Sequence, residues 1–592
     1  MSTRFEPPEN FKFRVTWDGR HIAGVSRVSP LTRTTDVVEH REGGEPSSTR
    51  KFPGRTAYAP ITLERGLTDD QAFEEWANQV WHLRAVPESS LNFRKEVAIE
   101  LMDEAAPSRP DRPVPYAGHV IGCSLGGCRT ETSARAGYAA LMATNDPKVT
   151  YIGAGSAVFA RQVMTDILAI DGLEQGTFAL VDIDAERLDL ARRIAERLVA
   201  RAGKAWRVVA STERRDVLAE SSFVVNSIEV AGRENVQHDY DIPLRYGVDQ
   251  CIGDTIGPGG IFKALRTGPT WLQILEDVRR LCPDAIVLNY ANPMSILTLA
   301  ALRASGPHVV GLCHSVQSTS RLLARYLDVP YEDLEWRCAG INHNAWFTEL
   351  SVDGRDLYPR LREVARTPDV YEEDPVRFEV MLHLGAFVTE SSGHFSEYVP
   401  YFRKRPDLVQ RYSRSGYRGE SGFYAHGWPA WQEEHRRMAE EWASGETSMP
   451  DYRSSEYAAD IVEALVLNRP KVIYGNVENR GLIENLPQGG CVEVPCLVDR
   501  NGVQPCHFGP LPEQLAALNR SHMAVHELVV EALLSRDRRA AKHALMLDPL
   551  TAAVCSLEEI DHLFEEMWHA QRPFLQPFEQ EVAVSRAPLP AC

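Results

Sequence analysis

Beyond residue 147 the chain repeats one pattern: a short run of β-branched and apolar residues, a polar or glycine-rich loop, then apolar positions at helical spacing. Residues 148–152 form the first run, Gly153-Ala154-Gly155-Ser156-Ala157-Val158 its loop, and 159–170 carry the helical spacing. Further runs at 177–181, 222–228 and 285–290 are apolar throughout, as strands buried on both faces of a parallel sheet are. The pattern predicts an α/β fold, a Rossmann-like doubly wound parallel sheet with helices on both faces. Residues 318–327 read as a helix, 334–340, 477–485 and 491–498 as strands, Asp499-Arg500-Asn501-Gly502 as a turn, and 521–534 and 556–570 as helices.

The loops at the strand ends carry the chemistry. Gly153 and Gly155 permit a sharp turn and close approach of a pyrophosphate to the amides of Ser156, Ala157 and Val158 at a helix start. Val158 stands where a third glycine is usual. Asp182, at the end of the second strand, is placed to accept from an adenosine ribose, and fits that position better than Asp184. Asn226, Asn289 and Asn292, and then Cys313 and His314, follow successive strand ends. Cys313 and His343, a thiolate and an imidazole separated by one helix and one strand, form a candidate soft divalent-metal pair with open positions for a substrate diol.

These motifs resemble the NAD- and manganese-dependent glycosidases of glycoside hydrolase family four, in particular the α-galactosidase and α-galacturonidase branch. The resemblance runs from residue 149 to about 570. It rests on Ile152-Gly153-Ala154-Gly155-Ser156, Asp254-Thr255-Ile256-Gly257-Pro258-Gly259-Gly260, Ala291-Asn292-Pro293, Gly311-Leu312-Cys313-His314, Gly340-Ile341-Asn342-His343, Thr389-Glu390-Ser391-Ser392-Gly393-His394 and Val492-Glu493-Val494-Pro495. It implies NAD and Mn2+ as cofactors, Cys313 and His343 as metal ligands, Asn292 at substrate and metal, and His314 at substrate. It also implies a redox route: NAD oxidises the sugar C3 hydroxyl, the C2 proton is removed as the glycosidic oxygen leaves, water adds, and the hydride returns. Such enzymes stand outside the usual two-carboxylate scheme. The base is expected at Glu390, with His394, Glu397 and Tyr398 as rivals; Asp254, ahead of Asp249, is expected to protonate the leaving group. Arg403 is the candidate partner of a uronate carboxylate, although an exposed basic turn is the plainer reading of Tyr401-Phe402-Arg403-Lys404-Arg405-Pro406. The expected substrate is an α-galactoside, with α-galacturonides or α-glucosides as alternatives. A simple NAD-dependent 2-hydroxyacid dehydrogenase would share the Rossmann half, but only the glycine loop supports it. By the resemblance, residues 148–343 form the NAD-binding domain and 344–580 an α+β substrate domain like that of lactate and malate dehydrogenases, in a homodimer or homotetramer.

The first 106 residues follow another pattern. Residues 11–16 alternate like a half-exposed strand before a hairpin turn at Trp17-Asp18-Gly19; 34–40, 61–64 and 96–102 read as strands and 68–83 as a helix. The segments Val37-Val38-Glu39-His40-Arg41-Glu42-Gly43-Gly44, Arg50-Lys51-Phe52-Pro53-Gly54-Arg55 and Ile61-Thr62-Leu63-Glu64-Arg65-Gly66-Leu67-Thr68-Asp69-Asp70 resemble tail-tube proteins of contractile phages. That resemblance implies ring assembly, or alternatively a structural tube subunit, but the module stops short of its closing strands. Residues 107–147, rich in proline and then in small residues, read as a linker.

Composition changes this picture little. The 592 residues exceed one core, and a net charge of −18 repels nucleic-acid phosphates. Eleven scattered cysteines do not form a disulfide scaffold. The absence of a membrane-length apolar run or a signal-peptide core leaves a cytoplasmic protein with a small glycoside as its partner as the expectation.

Overall fold

The computed structural model describes residues 145–304 and 308–578, and before them seven strands as backbone. The chain divides into two units, 1–128 and 129–592.

In the first unit β1 (Lys12–Trp17) pairs antiparallel with β2 (Arg20–Ile22) and β7 (Val97–Met102), β3 (Val25–Val28) with β6 (Leu63–Arg65), and β4 (Arg33–His40) with β5 (Arg50–Tyr58). β1 and β2 pair on either side of the hairpin turn expected at Trp17-Asp18-Gly19, of which residues 18 and 19 lie outside the described residues. β5 is an addition to that pattern: Pro53 and Gly54 lie within it, and both residue types count against a strand. The expected helix 68–83, and the linker up to residue 144, lie outside the described residues.

In the second unit β8 (Lys148–Ile152), β9 (Gln175–Val181), β10 (Ala205–Ser211), β11 (Phe223–Asn226), β12 (Ile286–Asn289) and β13 (His308–Leu312) form a parallel sheet in the order β10-β9-β8-β11-β12-β13. This is the doubly wound nucleotide-binding order, whose strand order reverses beside β8. Burial on both faces explains the continuous apolar runs: Phe223, Val224 and Val225 are inaccessible to solvent. β10 escaped the sequence pattern because it is an edge strand, with alternating exposure at Arg207 and Val209.

The sheet continues past β13 through antiparallel partners. β13 meets β18 (Lys471–Glu478), β18 pairs with β19 (Cys491–Asp499), β19 with β14 (Glu335–Ile341), and β14 with β15 (Asn344–Val352). Residue 343, where two domains were expected to meet, is therefore in the turn of the β14–β15 hairpin. β18 ends before the strand expected at 477–485 does, because the Asn479 side-chain amide donates to the carbonyls of Ile483, Leu486 and Pro487 and folds that stretch into a loop. The helix expected at 521–534 starts earlier, at Glu513–Ser535, and with Leu557–Gln571 packs Val525, Val529, Leu533, Phe564 and Met567 on Ile261, Phe262 and Leu265 of the helix Gly257–Leu281. Among the described residues no helix is long and apolar enough to cross a membrane, and the eight cysteines described are free thiols.

Candidate active site

The glycine loop follows β8. Gly153 has φ +90°, and a Cβ there would stand 2.8 Å from the Ser227 carbonyl oxygen. A Cβ on Gly155 would stand 2.5 Å from Asp182 Oδ2, which instead accepts from the Gly155 amide at 2.7 Å. The helix Ala157–Leu168 starts with no side-chain cap, so its first amides are free for an anion. Such a cradle, with Asp182 at its rim, fits a dinucleotide. Asn226 is buried beside it, donating to Asn289 Oδ1 at 2.8 Å.

A cleft of about 420 Å³ opens at the same carboxyl edge. Among its lining residues are Asp254, Asn292, Cys313, His343, Glu390 and His394, drawn from five separated stretches of chain. Cys313 follows β13, and His343 occupies the β14–β15 turn with φ +103°, a backbone region that costs a non-glycine residue about 1–3 kcal/mol. Together they bring Cys313 Sγ to 3.2 Å from His343 Nε2. Burial raises the pKa of the Cys313 thiol, but the charge and hydrogen bond of His343, with His314, outweigh it and bring the value down to about 7. His343 is also desolvated, yet Glu390 and Cys313 raise its pKa to about 10. These opposite shifts describe a thiolate–imidazolium pair, and a divalent cation would replace the proton between them. The donor set of thiolate, imidazole and neighbouring carboxylate fits a transition-metal ion.

Glu390 Oε2 lies 3.3 Å from His343 Nε2, while its Oε1 accepts from the Ser391 amide at 2.8 Å and from Tyr417 Oη at 3.3 Å. His394 stands between two carboxylates, 3.8 Å from Asp254 and 3.9 Å from Glu390, and neither of its ring nitrogens makes a hydrogen bond. Such an orphaned, buried imidazole is costly without a ligand.

Four of the expected site residues have surroundings that the sequence did not show. Asp254, expected to protonate the leaving group, is held toward its ionised form. Burial opposes ionisation, but Lys263 and His394, with donors on Thr255 and Asn292, hold its pKa well below the usual range. Tyr398 is absent from the cleft lining; its hydroxyl lies 3.2 Å from His343 Nδ1 and fixes that ring. Glu397 accepts from the amides of Cys251, Ile252 and Gly253, and so shapes the loop that presents Asp254. Arg403, expected at a uronate or on an exposed turn, is 1% exposed and bonded to Asp249, Ser396 and Gly419, so protein groups occupy its fork.

Other participants escaped sequence reasoning. Lys263, 4% exposed, pairs with Glu229 at 2.7 Å and Asp254 at 3.5 Å. Its signal was a lone lysine on an otherwise apolar helix stretch. Glu456 forms an ion pair with His314 Nε2, pinning that cleft-lining ring, and nothing in the sequence near residue 456 announced it. Glu493 lies fully buried on β19; desolvation, reinforced by the charge of Cys313, raises its pKa to about 8.

Residues 148–329 match the family 4 glycosyl hydrolase model and 338–551 its C-terminal domain, while residues 9–109 match the T4-like virus tail tube protein gp19. An α-galactosidase of Bacillus subtilis (strain 168) is 39% identical over 438 residues, covering 73% of this chain and 100% of that protein. An α-galacturonidase of the same organism is 30% identical over 446 residues, covering 71% of this chain and 96% of the relative. The fold is shared with a 6-phospho-β-glucosidase from Thermotoga maritima, solved with manganese, NAD+ and glucose-6-phosphate, at TM-score 0.61 and 23% identity over 72% of this chain and 99% of that one. From residue 148 to 551, the chain belongs to glycosyl hydrolase family 4.

Proposed function

We propose that this protein is an NAD- and manganese-dependent glycosidase acting on α-galactosides. The observation that carries the reading is the convergence of Cys313, His343 and Asn292 in one cleft at the sheet edge that also bears the Gly153 loop. When bound, NAD supplies a reversible hydride acceptor and the manganese ion Lewis acidity at neighbouring sugar oxygens.

The remaining work falls to the chain. The amides after Gly153 and Gly155 hold the pyrophosphate, and Asp182 faces the ribose. Cys313 and His343 hold the cation. Asn292, oriented by Asp254 Oδ2 at 3.1 Å, meets a sugar hydroxyl, and His314, pinned by Glu456, meets another. The proton at sugar C2 passes to one of the buried neighbours Glu390 and His394. Tyr290, Tyr417 and Tyr424 line the cleft and exclude water.

The galactoside is favoured over the galacturonide by the higher identity to the α-galactosidase. The engagement of Arg377, a cation of the cleft wall, by Asp374 and Thr319 points the same way, since a uronate needs a free one. The same reading takes the enzyme as a dimer or tetramer and residues 1–106 as a tube-like module able to form rings, which native mass spectrometry and negative-stain microscopy would reveal.

The test is hydrolysis of 4-nitrophenyl α-galactoside and α-galacturonide under reducing conditions, with and without NAD and Mn2+, for the parent and Cys313→Ala. Galactoside cleavage that requires both additions and disappears in the variant is expected. Cleavage without NAD, or net accumulation of NADH as in a dehydrogenase, overturns the reading.

A further inference from the structure

We infer that Tyr417 is a specificity-determining residue for the leaving group: its half-exposed ring, backed by Phe423 and Trp431, receives one face of a second sugar ring attached at C1 of the galactoside. The inference rests on the reading of the cleft as that of an α-galactosidase, and deepens it by naming the class of leaving group, a pyranose.

Among the described side chains that line the cleft, His314, Ser318 and Tyr417 are exposed and the others are buried or half-buried. His314 and Ser318 lie on the side of the nucleotide loop, since the His314 ring stands 6.0 Å from Phe159, on the helix that follows that loop. Tyr417 has other neighbours, Glu390 and Phe423, and comes from the short turn Gly416–Arg418. The cleft thus reaches solvent beside the nucleotide helix and again beside Tyr417. Carbons 2 and 3 of the sugar belong with Asn292, Cys313 and His343, so the substituent on C1 must extend toward solvent. With the first side taken by the dinucleotide, the Tyr417 side remains for it.

Tyr417 is held by its polar end. Its hydroxyl donates to Glu390 Oε1 at 3.3 Å while the residue stays 48% exposed. Phe423 supports the ring edge-on at 6.2 Å, and Trp431 stands edge-on to Phe423 at 4.9 Å. Tyr424, which also lines the cleft, lies 5.1 Å from Trp428 and 6.1 Å from Trp431. This aromatic group is fixed to the site. The amides of Gly422 and Tyr424 donate to the carbonyls of Gln250 at 2.8 Å and Cys251 at 3.1 Å, in the loop that presents Asp254. The Tyr417 carbonyl crosses Gly393 so closely that a Cβ there would stand 2.2 Å from it. Phe423, Trp428 and Trp431 remain partly exposed, so apolar surface gathers where the cleft meets water. One face of a pyranose carries mainly C–H groups and lies flat on an aromatic ring while its hydroxyls keep their water.

The experiment measures kcat/KM of the full-length protein, with NAD and Mn2+ under reducing conditions, on an α-galactosyl-glucose disaccharide and on α-galactosyl fluoride, whose leaving group is a single atom. Parent, Tyr417→Phe and Tyr417→Ala are compared, with thermal unfolding as the folding control. Tyr417→Ala is expected to lower the disaccharide-to-fluoride ratio about 10-fold or more, the equivalent of about 1.4 kcal/mol. Tyr417→Phe keeps the ring and is expected to keep the ratio, since loss of the bond to Glu390 acts on both substrates alike. Should Tyr417→Ala fail to fold, Tyr417→Leu keeps apolar bulk without a ring face, and the same fall is expected. A parent-like ratio in the folded Ala or Leu variant, or an equal fall of the ratio in Tyr417→Phe, overturns the inference. Equal loss on both substrates with a change in native mass gives the aromatic surface to a second copy of the chain, and overturns it as well. A parent protein that cleaves neither substrate overturns the galactosidase reading itself.

Discussion

Cys313 Sγ and His343 Nε2 lie 3.2 Å apart although the helix Ser315–Leu327 and the strand β14 intervene between them in sequence. The contact is made by two fixed backbones, the end of a buried parallel strand and a tight hairpin turn, so little conformational entropy is lost when an ion is bound. Cys313→Ser replaces a soft thiolate by a neutral hydroxyl at the same position. Loss of Mn2+ affinity by about 100-fold or more is expected, since even supporting groups of metal ligands contribute 10–100-fold. Isothermal titration with Mn2+ in the presence of a reductant measures it, and an affinity within a few-fold of the parent contradicts the pair as ligands.

Arg403 belongs to the frame of the site. Its guanidinium reaches Asp249 Oδ2 at 2.9 Å, and Asp249 also accepts from Ser421 at 2.8 Å. Arg403→Ala leaves that carboxylate inside the protein without its cation, a loss of about 3–5 kcal/mol for a buried pair. Urea unfolding should show the midpoint falling accordingly, while Arg403→Ala/Asp249→Ala recovers part of it. If Arg403 instead met a uronate, the single variant would leave the midpoint in place and alter only activity on galacturonides.

How far the site could be read from sequence follows from how local each signal is. The Gly153 turn, the buried parallel strands β8, β9, β11 and β12 and the turn at Asp499 to Gly502 are written in neighbouring residues, and the sheet carries them where the pattern placed them. Cys313 and His343 were legible as a pair because each ends or turns a strand of strong apolar pattern. Long-range electrostatics were not legible. Nothing local reveals that Lys263 would reach Asp254 and keep it ionised, or that Arg403 would meet Asp249 from 154 residues away. The difference between a base and a frame residue among Glu390, His394, Glu397 and Tyr398 likewise depends on which partner each meets, and four positions within nine residues have four different surroundings.

The glycine loop makes a separate prediction for cofactor binding. Gly153→Ala places a Cβ 2.8 Å from a backbone carbonyl and forces a left-handed conformation on alanine. Strain of about 1–3 kcal/mol is the usual cost of such a conformation, and relief requires the loop to move away from Ser227. NAD affinity is therefore expected to fall by roughly 10-fold or more by the same free energy. The Mn2+ affinity of the NAD-free protein should stay unchanged. Equal loss of both would mean that the loop supports the whole fold rather than the nucleotide.

Asp548 supplies a prediction in pH. Its Oδ2 accepts from the Thr551 amide at 2.9 Å and the Thr551 hydroxyl at 2.7 Å, capping the helix Pro549–Val554, yet Oδ1 is buried without a partner. Desolvation outweighs the hydrogen bonds from Thr551 and Gly257 and raises the folded pKa to about 6, from 3.8 in the unfolded chain. Below the lower value both states hold the proton and the group contributes nothing to the pH dependence. Between the two values the unfolded chain ionises first, so folding loses stability as pH rises, and above the folded pKa the cost levels at about 3 kcal/mol from the size of the shift. Asp548→Asn keeps an acceptor for Thr551 and cannot ionise. Its stability relative to the parent is therefore expected to improve steadily from pH 4 to pH 7, whatever its absolute value. Chemical denaturation of both proteins across that range measures the difference, and a flat or falling difference would mean that the carboxylate is ionised in the fold and favourably capped.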